Sequence, residues 1–311
     1  MELVGKEVLV TGGAGFIGSH LSEELLNRNN SVTVIDNLSG GKEDWIPDSA
    51  EFVEGNLTNT EIVSSIIDED TDVVFHLASR KSVDDSNPGE QFEENTTMTR
   101  NILSEMRGIN DPKVVYASSS VVYGNAPRPT PEDYAPLEPI SHYGASKLAE
   151  EGLLSVYAHS YGVNVWNLRF ANVVGARLRG AVIPDFIEKL CDDPSELTIL
   201  GNGLQEKSYI HVDDCVNSML HVAENSDDEM NTYNLGTKTT TSVNEIADIV
   251  SEELDVEPEY SYTGGEQGWI GDVPRMRLSI QKLSSLGWEP DMESQEAVRR
   301  ATHELSEELR G

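Results

Sequence analysis

Short β-branched apolar runs alternate with amphipathic stretches through the first half of the chain. Runs at Glu7–Thr11, Ser31–Asp36, Glu51–Glu54, Asp72–Leu77, Lys113–Ser118 and Asn164–Phe170 predict strands of the kind buried on both faces of a parallel sheet. Between them, Ile17, Leu21 and Leu25 recur at four-residue spacing and predict the first helix. Further helices are expected near Thr60–Asp68, Thr96–Gly108 and Tyr143–Ser160. The alternation predicts an α/β fold, a Rossmann-type doubly wound parallel sheet with helices on both faces. After Phe170 the regularity weakens, because Pro184, Pro194 and the Gly201-Asn202-Gly203 turn interrupt it. Helices are expected again at Asp213–Glu224, Val243–Leu254 and Ser294–Leu309, within a smaller C-terminal α/β domain whose segments cross back onto the main sheet.

Charge narrows the classes of partner. The 311 residues include 55 Asp and Glu against 22 Lys and Arg, a formal net charge of −33. A field of that sign repels phosphate backbones, so a nucleic-acid partner is not expected. The acids are dispersed, as in Glu23-Glu24, Asp192-Asp193 and Glu252-Glu253, rather than gathered in a tail. Such a surface suits a high-salt cytoplasm, where counterions screen its self-repulsion. No apolar run approaches the roughly 18–20 residues of a membrane helix, and the first residues lack the pattern of a secretory signal. A cytoplasmic location is expected. Cys191 and Cys215 are too far apart to form a CxxC pair, so neither a metal site nor a disulfide is expected.

The run Val8-Leu9-Val10-Thr11-Gly12-Gly13-Ala14-Gly15-Phe16-Ile17-Gly18 sets a strand directly before a glycine-rich turn and a helix. Gly12, Gly15 and Gly18 stand where a tight turn, close approach to a pyrophosphate and close helix–strand packing require glycine. The helix N-terminus offers N–H groups and a positive dipole end to phosphates. Asp36 ends the second strand, at the distance where a carboxylate accepts bonds from the adenosine ribose hydroxyls and repels a 2′-phosphate. Taken alone, Asp36 reads better as a strand-ending turn former. Joined to the glycine turn, it points to NAD rather than NADP as the cofactor.

Tyr143-Gly144-Ala145-Ser146-Lys147 opens a predicted helix, and its Tyr and Lys share a face. Removing a proton from a sugar hydroxyl while hydride leaves the same carbon needs a base, and a neighbouring ammonium favours the phenolate of a tyrosine. An isolated YxxxK also fits an ordinary helix start. The strand Val114–Ser118 runs into three serines, Ser118-Ser119-Ser120, followed by Val121-Val122-Tyr123-Gly124. In an open α/β sheet that edge is where ligands bind, although a polar turn would look the same locally.

In combination, and in this order, these motifs resemble the extended short-chain dehydrogenase/reductase family. Within it they are most like the NAD-dependent epimerase/dehydratase group of the UDP-glucose 4-epimerase type. The likeness covers nearly the whole chain: TGGAGFIG at 11–18, Asp36-Asn37-Leu38, His76-Leu77-Ala78, the serine strand ending in Val122-Tyr123-Gly124, the YxxxK at 143–147, and Ser-Tyr-Ile-His-Val-Asp-Asp at 208–214. The resemblance implies an NAD-binding domain over 1–170, with return segments near 205–240, and a mainly substrate-binding domain over 171–311. It implies Tyr143 as base, Lys147 as its partner and Ser119 as the catalytic hydroxyl. Around NAD it implies Gly12, Gly15, Phe16, Ile17, Gly18, Asp36, Asn37, Asn56, Leu57, Leu77, Ala78 and Asn95, together with Tyr143 and Lys147. Asn95 also reads locally as a helix N-cap before Thr96. Around the substrate, expected to be a UDP-hexose, it implies Ser119, Ser120, Tyr143, Asn172, Lys207 and Arg275. No metal is implied. A homodimer through the third helix and the YxxxK helix is also implied, and apolar Ile102, Leu103, Leu153, Leu154 and Val156 permit it.

The departures from the family are specific. Ser120 and Val121 occupy the positions of the Asp-Glu pair that sugar 4,6-dehydratases carry, which disfavours elimination of water. Asn56 replaces the family's aspartate near adenine. Lys207 and Trp269 stand where many bacterial epimerases have diphosphate-binding arginines, and Arg177, Arg179, Arg275 or Arg277 are candidates to replace that charge. Trp269–Pro274 resembles archaeal members. The expected activity is therefore a nucleotide-sugar 4-epimerase. A decarboxylase, dehydratase or reductase of the same group is the nearest rival, and a non-catalytic NAD-binding scaffold is the rival from another class.

Overall fold

The computed structural model describes residues 1–81, 88–269 and 271–310. The chain divides into two compact units, each built from three segments. The first comprises Met1–Val122, His142–Arg169 and Val216–Tyr233; the second comprises Tyr123–Ser141, Phe170–Cys215 and Asn234–Gly311.

In chain order the elements are β1 (Glu7–Thr11), α1 (Phe16–Asn27), β2 (Ser31–Asp36), β3 (Glu51–Glu54), α2 (Thr60–Ile66), β4 (Val73–His76), α3 (Pro88–Met106), β5 (Lys113–Ser119), α4 (His142–Tyr161) and β6 (Asn164–Phe170). They continue with β7 (Asn172–Val174), α5 (Val182–Asp192), β8 (Glu196–Ile199), β9 (Glu206–Lys207), β10 (Tyr209–His211), α6 (Val212–Asn225) and β11 (Met230–Leu235). The last are β12 (Thr241–Ser242), α7 (Val243–Leu254), β13 (Glu259–Tyr262), β14 (Arg275–Met276), α8 (Gln281–Ser285) and α9 (Ser294–Arg310).

The first unit is organised around a seven-stranded sheet of order β11-β6-β5-β4-β1-β2-β3. β1 pairs in parallel with β2 and β4, β2 with β3, and β4 with β5. The chain leaves β1 toward β2 and β3 and returns to β4 on β1's other side. The crevice at this switch point, beyond the carboxyl ends of β1 and β4, is where doubly wound folds bind dinucleotides. The central strands are mainly apolar because both faces are covered: Val8, Leu9, Val10, Val34, Ile35, Val73, Val74 and Phe75 are all buried. Leu9, Ile35, Val74, Val114 and Val165 pack into one core with Ile102, Leu103 and Met106 of α3 and Leu154 of α4. Ile102, Leu103 and Leu154 thus serve the core. Of the apolar positions expected at a dimer face, Leu153 is partly buried and Val156 is exposed.

Two expectations needed correction. The third helix begins at Pro88 rather than near Thr96, and its first turns are polar enough (Glu90, Gln91, Glu93, Glu94) to hide the apolar period. Asn95 is therefore a mid-helix residue and not an N-cap. In the second unit, Pro184 does not interrupt structure. It lies in the first turn of α5, where a missing N–H costs nothing, and Ile183, Phe186, Ile187 and Leu190 form a buried stripe behind it. That stripe joins Leu197, Ile199, Ile246, Ile249, Val250, Val298, Ala301 and Leu305 in the second unit's own core.

Among the described residues no helix is long and apolar enough to cross a membrane. Cys191 is exposed and Cys215 buried, and neither forms a disulfide.

Candidate active site

The turn after β1 has no room for side chains. Gly12 has φ +70°, and a Cβ there would lie 2.7 Å from the Ala78 nitrogen. A Cβ on Gly18 would lie 2.2 Å from the Gly12 carbonyl oxygen. Gly15 precedes α1 in extended conformation and offers no side chain to cap it. The first-turn N–H groups at Phe16, Ile17 and Gly18 are thus left for an external anion. Asp36 is half-buried at the carboxyl end of β2; its two oxygens accept from the N–H groups of Ala14 (3.1 Å) and Leu38 (2.8 Å). Burial raises the Asp36 carboxyl above its ordinary range, against the lowering effect of those backbone bonds. A cradle closed to any Cβ, an uncapped helix start and a carboxylate at the end of the next strand together fit a dinucleotide.

Other residues around the cofactor position have local roles visible in the structure. Leu77 and Ala78 follow β4 and donate their N–H groups to Thr11 Oγ1 at 3.2 and 3.1 Å. Asn37 is exposed, and its side chain accepts from Ser39 N–H. Asn56 closes a local turn by accepting from Thr58 N–H and hydroxyl, both at 2.9 Å. The Leu57 side chain belongs to the core. Asn95 accepts from Arg80 N–H at 2.8 Å and donates to Ser146 Oγ at 3.1 Å, and Ser146 in turn donates to the Tyr143 carbonyl at 2.9 Å. Asn95 therefore ties the segment after β4 to the first turn of α4. Ser79, absent from the expected set, has a buried hydroxyl without a partner among the described residues.

At the carboxyl end of β5, Ser119 is half-buried and its hydroxyl accepts weakly from Val121 N–H at 3.4 Å. Ser120 and Val121 enter a 3-10 turn. α4 carries Tyr143, half-buried, and one turn later Lys147, only 1% exposed. Lys147 Nζ donates to the Ala117 carbonyl at 2.9 Å and to Tyr116 Oη at 3.1 Å, and it sits 5.7 Å from the centre of the Tyr143 ring. The helix period thus seats the ammonium beside the phenol ring and against β5. Tyr116 is fully buried, and desolvation, reinforced by Glu150, holds its phenol protonated far into alkali. A bidentate pair supports the serine strand from below: Arg169 donates to Glu151 at 2.7 and 3.0 Å, and Ser118 donates to the same carboxylate at 2.5 Å. Tyr116, Glu150 and Glu151 were missed in the sequence, though the i+3 and i+4 spacing of the two glutamates from Lys147 already placed carboxylates near the inward face of that helix.

Three of the expected residues belong to the second unit. Asn172 opens β7, and its side-chain amide nitrogen is buried without a partner among the described residues. Lys207 on β9 is engaged by Asp272 at 2.5 Å and lies 5.0 Å from the centre of the Trp269 ring. Arg275 on β14 is exposed, and its charge acts on Glu206. Ile270, within the Trp269–Pro274 segment, lies outside the described residues.

The model of the NAD dependent epimerase/dehydratase family matches residues 8–236. A chain of Methanocaldococcus jannaschii, provisionally named a UDP-glucose 4-epimerase, is 36% identical over 303 residues, which are 95% of this chain and 97% of that one. A crystal structure of a UDP-galactose 4-epimerase superposes with a TM-score of 0.88 at 41% identity, covering 97% of this chain and 99% of the other. The UDP-glucose 4-epimerase of Thermus thermophilus, solved in complex with NAD, superposes with a TM-score of 0.86 at 34% identity, covering 96% and 98%.

Proposed function

The chain belongs to the NAD-dependent epimerase/dehydratase family, and from that premise we propose that it interconverts UDP-hexoses epimeric at C4, of the UDP-glucose/UDP-galactose type. The observation that carries this reading is the seating of the Lys147 ammonium between Tyr116, Ala117 and the Tyr143 ring, at the carboxyl edge of a sheet whose first turn fits a dinucleotide.

NAD, when bound, supplies the acceptor that takes sugar C4 to a ketone and gives the hydrogen back to either face. Gly12, Gly15 and Gly18 leave its pyrophosphate room against the start of α1, and the Asp36 carboxylate accepts from its adenosine ribose hydroxyls. Tyr143 takes the proton from the 4-hydroxyl as C4 is oxidised and returns it on reduction. Lys147 places a positive charge beside the Tyr143 ring. Ser119 bonds the reacting oxygen. Asn172, Lys207, Arg275 and Ser120 are assigned to the nucleotide sugar, and the Asn172 amide nitrogen, without a partner among the described residues, supports its part. Ser120 and Val121 supply no acid/base pair for loss of water, which favours epimerisation over 4,6-dehydration.

We also infer a dimer through α3 and α4, which leave Phe92, Val156 and Tyr161 exposed, and a high-salt cytoplasmic setting, from the charge of −33. The test of the activity is incubation of the protein with UDP-glucose, UDP-galactose and their N-acetyl forms at high salt, with products resolved by NMR. Conversion to the C4 epimer with no loss of sugar mass is expected. Release of carbon dioxide or water from a nucleotide sugar would replace this reading with a decarboxylase or dehydratase.

A further inference from the structure

Glu150 lies against the reacting pair, and the proposed chemistry gives it no task. It is fully buried on α4. Its Oε2 accepts from Tyr116 Oη at 2.6 Å and Thr99 Oγ1 at 2.8 Å, and lies 4.0 Å from Lys147 Nζ. Its Oε1 is buried without a hydrogen-bond partner among the described residues. Burying a carboxylate is costly, and an apolar residue of similar size would fill the space at less cost.

The hydrogen bonds around Glu150 form a chain with one direction. His76 is buried between Thr11 (2.8 Å from Nδ1) and Thr99 (3.0 Å from Nε2). Burial, with the Lys147 charge, pushes its imidazole down to about 3, so it is neutral and carries one N–H. Thr99 spends its hydroxyl proton on Glu150 and must accept from His76 Nε2. Nδ1 must then accept from the Thr11 hydroxyl, whose oxygen already accepts the N–H groups of Leu77 and Ala78. On the other side, Lys147 donates to Tyr116, and Tyr116 donates to Glu150. Both arms end on one carboxylate, an acceptor-only terminus that makes the chain self-consistent, while Lys147 keeps a second bond to the Ala117 carbonyl. One arm starts at the residue before Gly12 and the other at the ammonium beside Tyr143.

We propose that Glu150 is a positioning residue for the Tyr143–Lys147 pair: through Tyr116 it holds the ammonium in place, and its charge sets the pH range in which the pair works. The proposal rests on the reading of Tyr143 and Lys147 as the reacting groups. The other ionisable groups packed around this point are His76 from β4, Tyr116 from β5, Glu151 from α4, and Arg169 from β6, which is paired with Glu151.

Glu150→Gln keeps an oxygen acceptor for Tyr116 and Thr99 and removes the charge, with an amide NH2 in place of Oε1. Loss of a buried negative charge makes every neighbouring proton easier to lose, so the pH profile of UDP-glucose turnover should move toward lower pH by about one unit. A second readout needs no turnover. Tyrosinate absorbance from residue 143, isolated by subtracting the matching Tyr143→Phe titration, should appear at lower pH in the NAD-loaded Glu150→Gln protein than in its parent. If Glu150→Gln fails to fold, Tyr116→Phe removes the bridging hydroxyl and leaves the ring. It should lower kcat about tenfold with KM for UDP-glucose unchanged. Wild-type positions of both pH curves, with only the melting temperature lowered, would make Glu150 a packing residue and overturn the proposal. An absorbance shift in a protein that epimerises nothing would support the placement of Glu150 and overturn only the assigned reaction.

Discussion

At the scale of single residues, two tyrosines beside one ammonium are given different surroundings. Tyr116 is sealed within the core and held as a phenol, while Tyr143, one helix turn before Lys147, remains half-buried. Tyr143→Phe should therefore reduce epimerisation by about 10²–10⁴-fold, the usual contribution of a positioned acid/base group, with the fold and NAD binding unchanged. Turnover by stopped assay and NAD affinity by calorimetry measure the two separately; retained turnover would remove Tyr143 from the mechanism. Gly12 gives a second expectation. Its φ of +70° and the 2.7 Å approach to the Ala78 backbone leave no place for a methyl group. Gly12→Ala should cost about 1–3 kcal/mol of stability and abolish tight NAD binding, as read by thermal melting with and without NAD. The glycine turn, Asp36, the serine strand and the YxxxK pair could all be read from the sequence, because each is a local pattern whose spacing carries its geometry. The hydrogen-bonded chain through Thr11, His76, Thr99 and Glu150 could not. Its members lie far apart in the sequence, and each alone is an ordinary polar residue.

At the scale of elements, strands were more legible than helix starts. The six strands expected in the first unit match β1–β6 to within a residue or so, because short β-branched and aromatic runs stand out between the helical stretches. The apolar period sets the start of α3 eight residues late because its first turns carry acids, and it hides α5 because a proline in a first turn reads locally as a break. In the second unit, β10, α6 and α9 are tied by His211. It is 1% exposed, 3.1 Å from Glu304 and 3.5 Å from Asp213, and Asp213 also meets Arg300 at 2.5 Å. Burial opposes the His211 charge, but bonds to Asp213 and Glu304 outweigh it and raise its value. The bond to His211 lowers Asp213 to about 2; Glu304 is also lowered, its burial outweighed chiefly by His211. The imidazolium's contribution is complete below the unfolded histidine value of about 6.5 and is lost as pH rises through the raised folded value. The carboxylates contribute above their ordinary values and lose that contribution as pH falls through the lowered ones. Comparing melting temperatures of wild type and His211→Asn across pH should show the largest gap between about pH 5 and 6.5, closing on the alkaline side. A gap independent of pH would mean that His211 acts by packing alone.

At the scale of the whole molecule, 55 acidic side chains against 22 basic ones set the conditions in which the chain folds. Many basic groups are already engaged, as in Arg28 with Glu24 and Glu224, Arg300 with Asp213 and Glu304, and Arg179 with Glu308. The remaining carboxylates repel one another over a screening length of about 10 Å at 0.1 M salt, which shrinks to about 3 Å at 1 M. The melting temperature should rise steeply with potassium chloride across that range, by more than the gain of a near-neutral relative measured in parallel. A flat response would remove the high-salt setting from the proposal.

The division into two units has a consequence for how the chain can be cut. Each unit consists of three segments that alternate along the sequence, so the backbone passes between them five times. Neither half can be obtained by cloning a single stretch of gene. A stop codon after Phe170 would keep six strands of the large sheet and remove β11, its outermost member, together with α6. A truncated transcript would thus yield a chain with an unfinished sheet edge rather than a free-standing nucleotide-binding module.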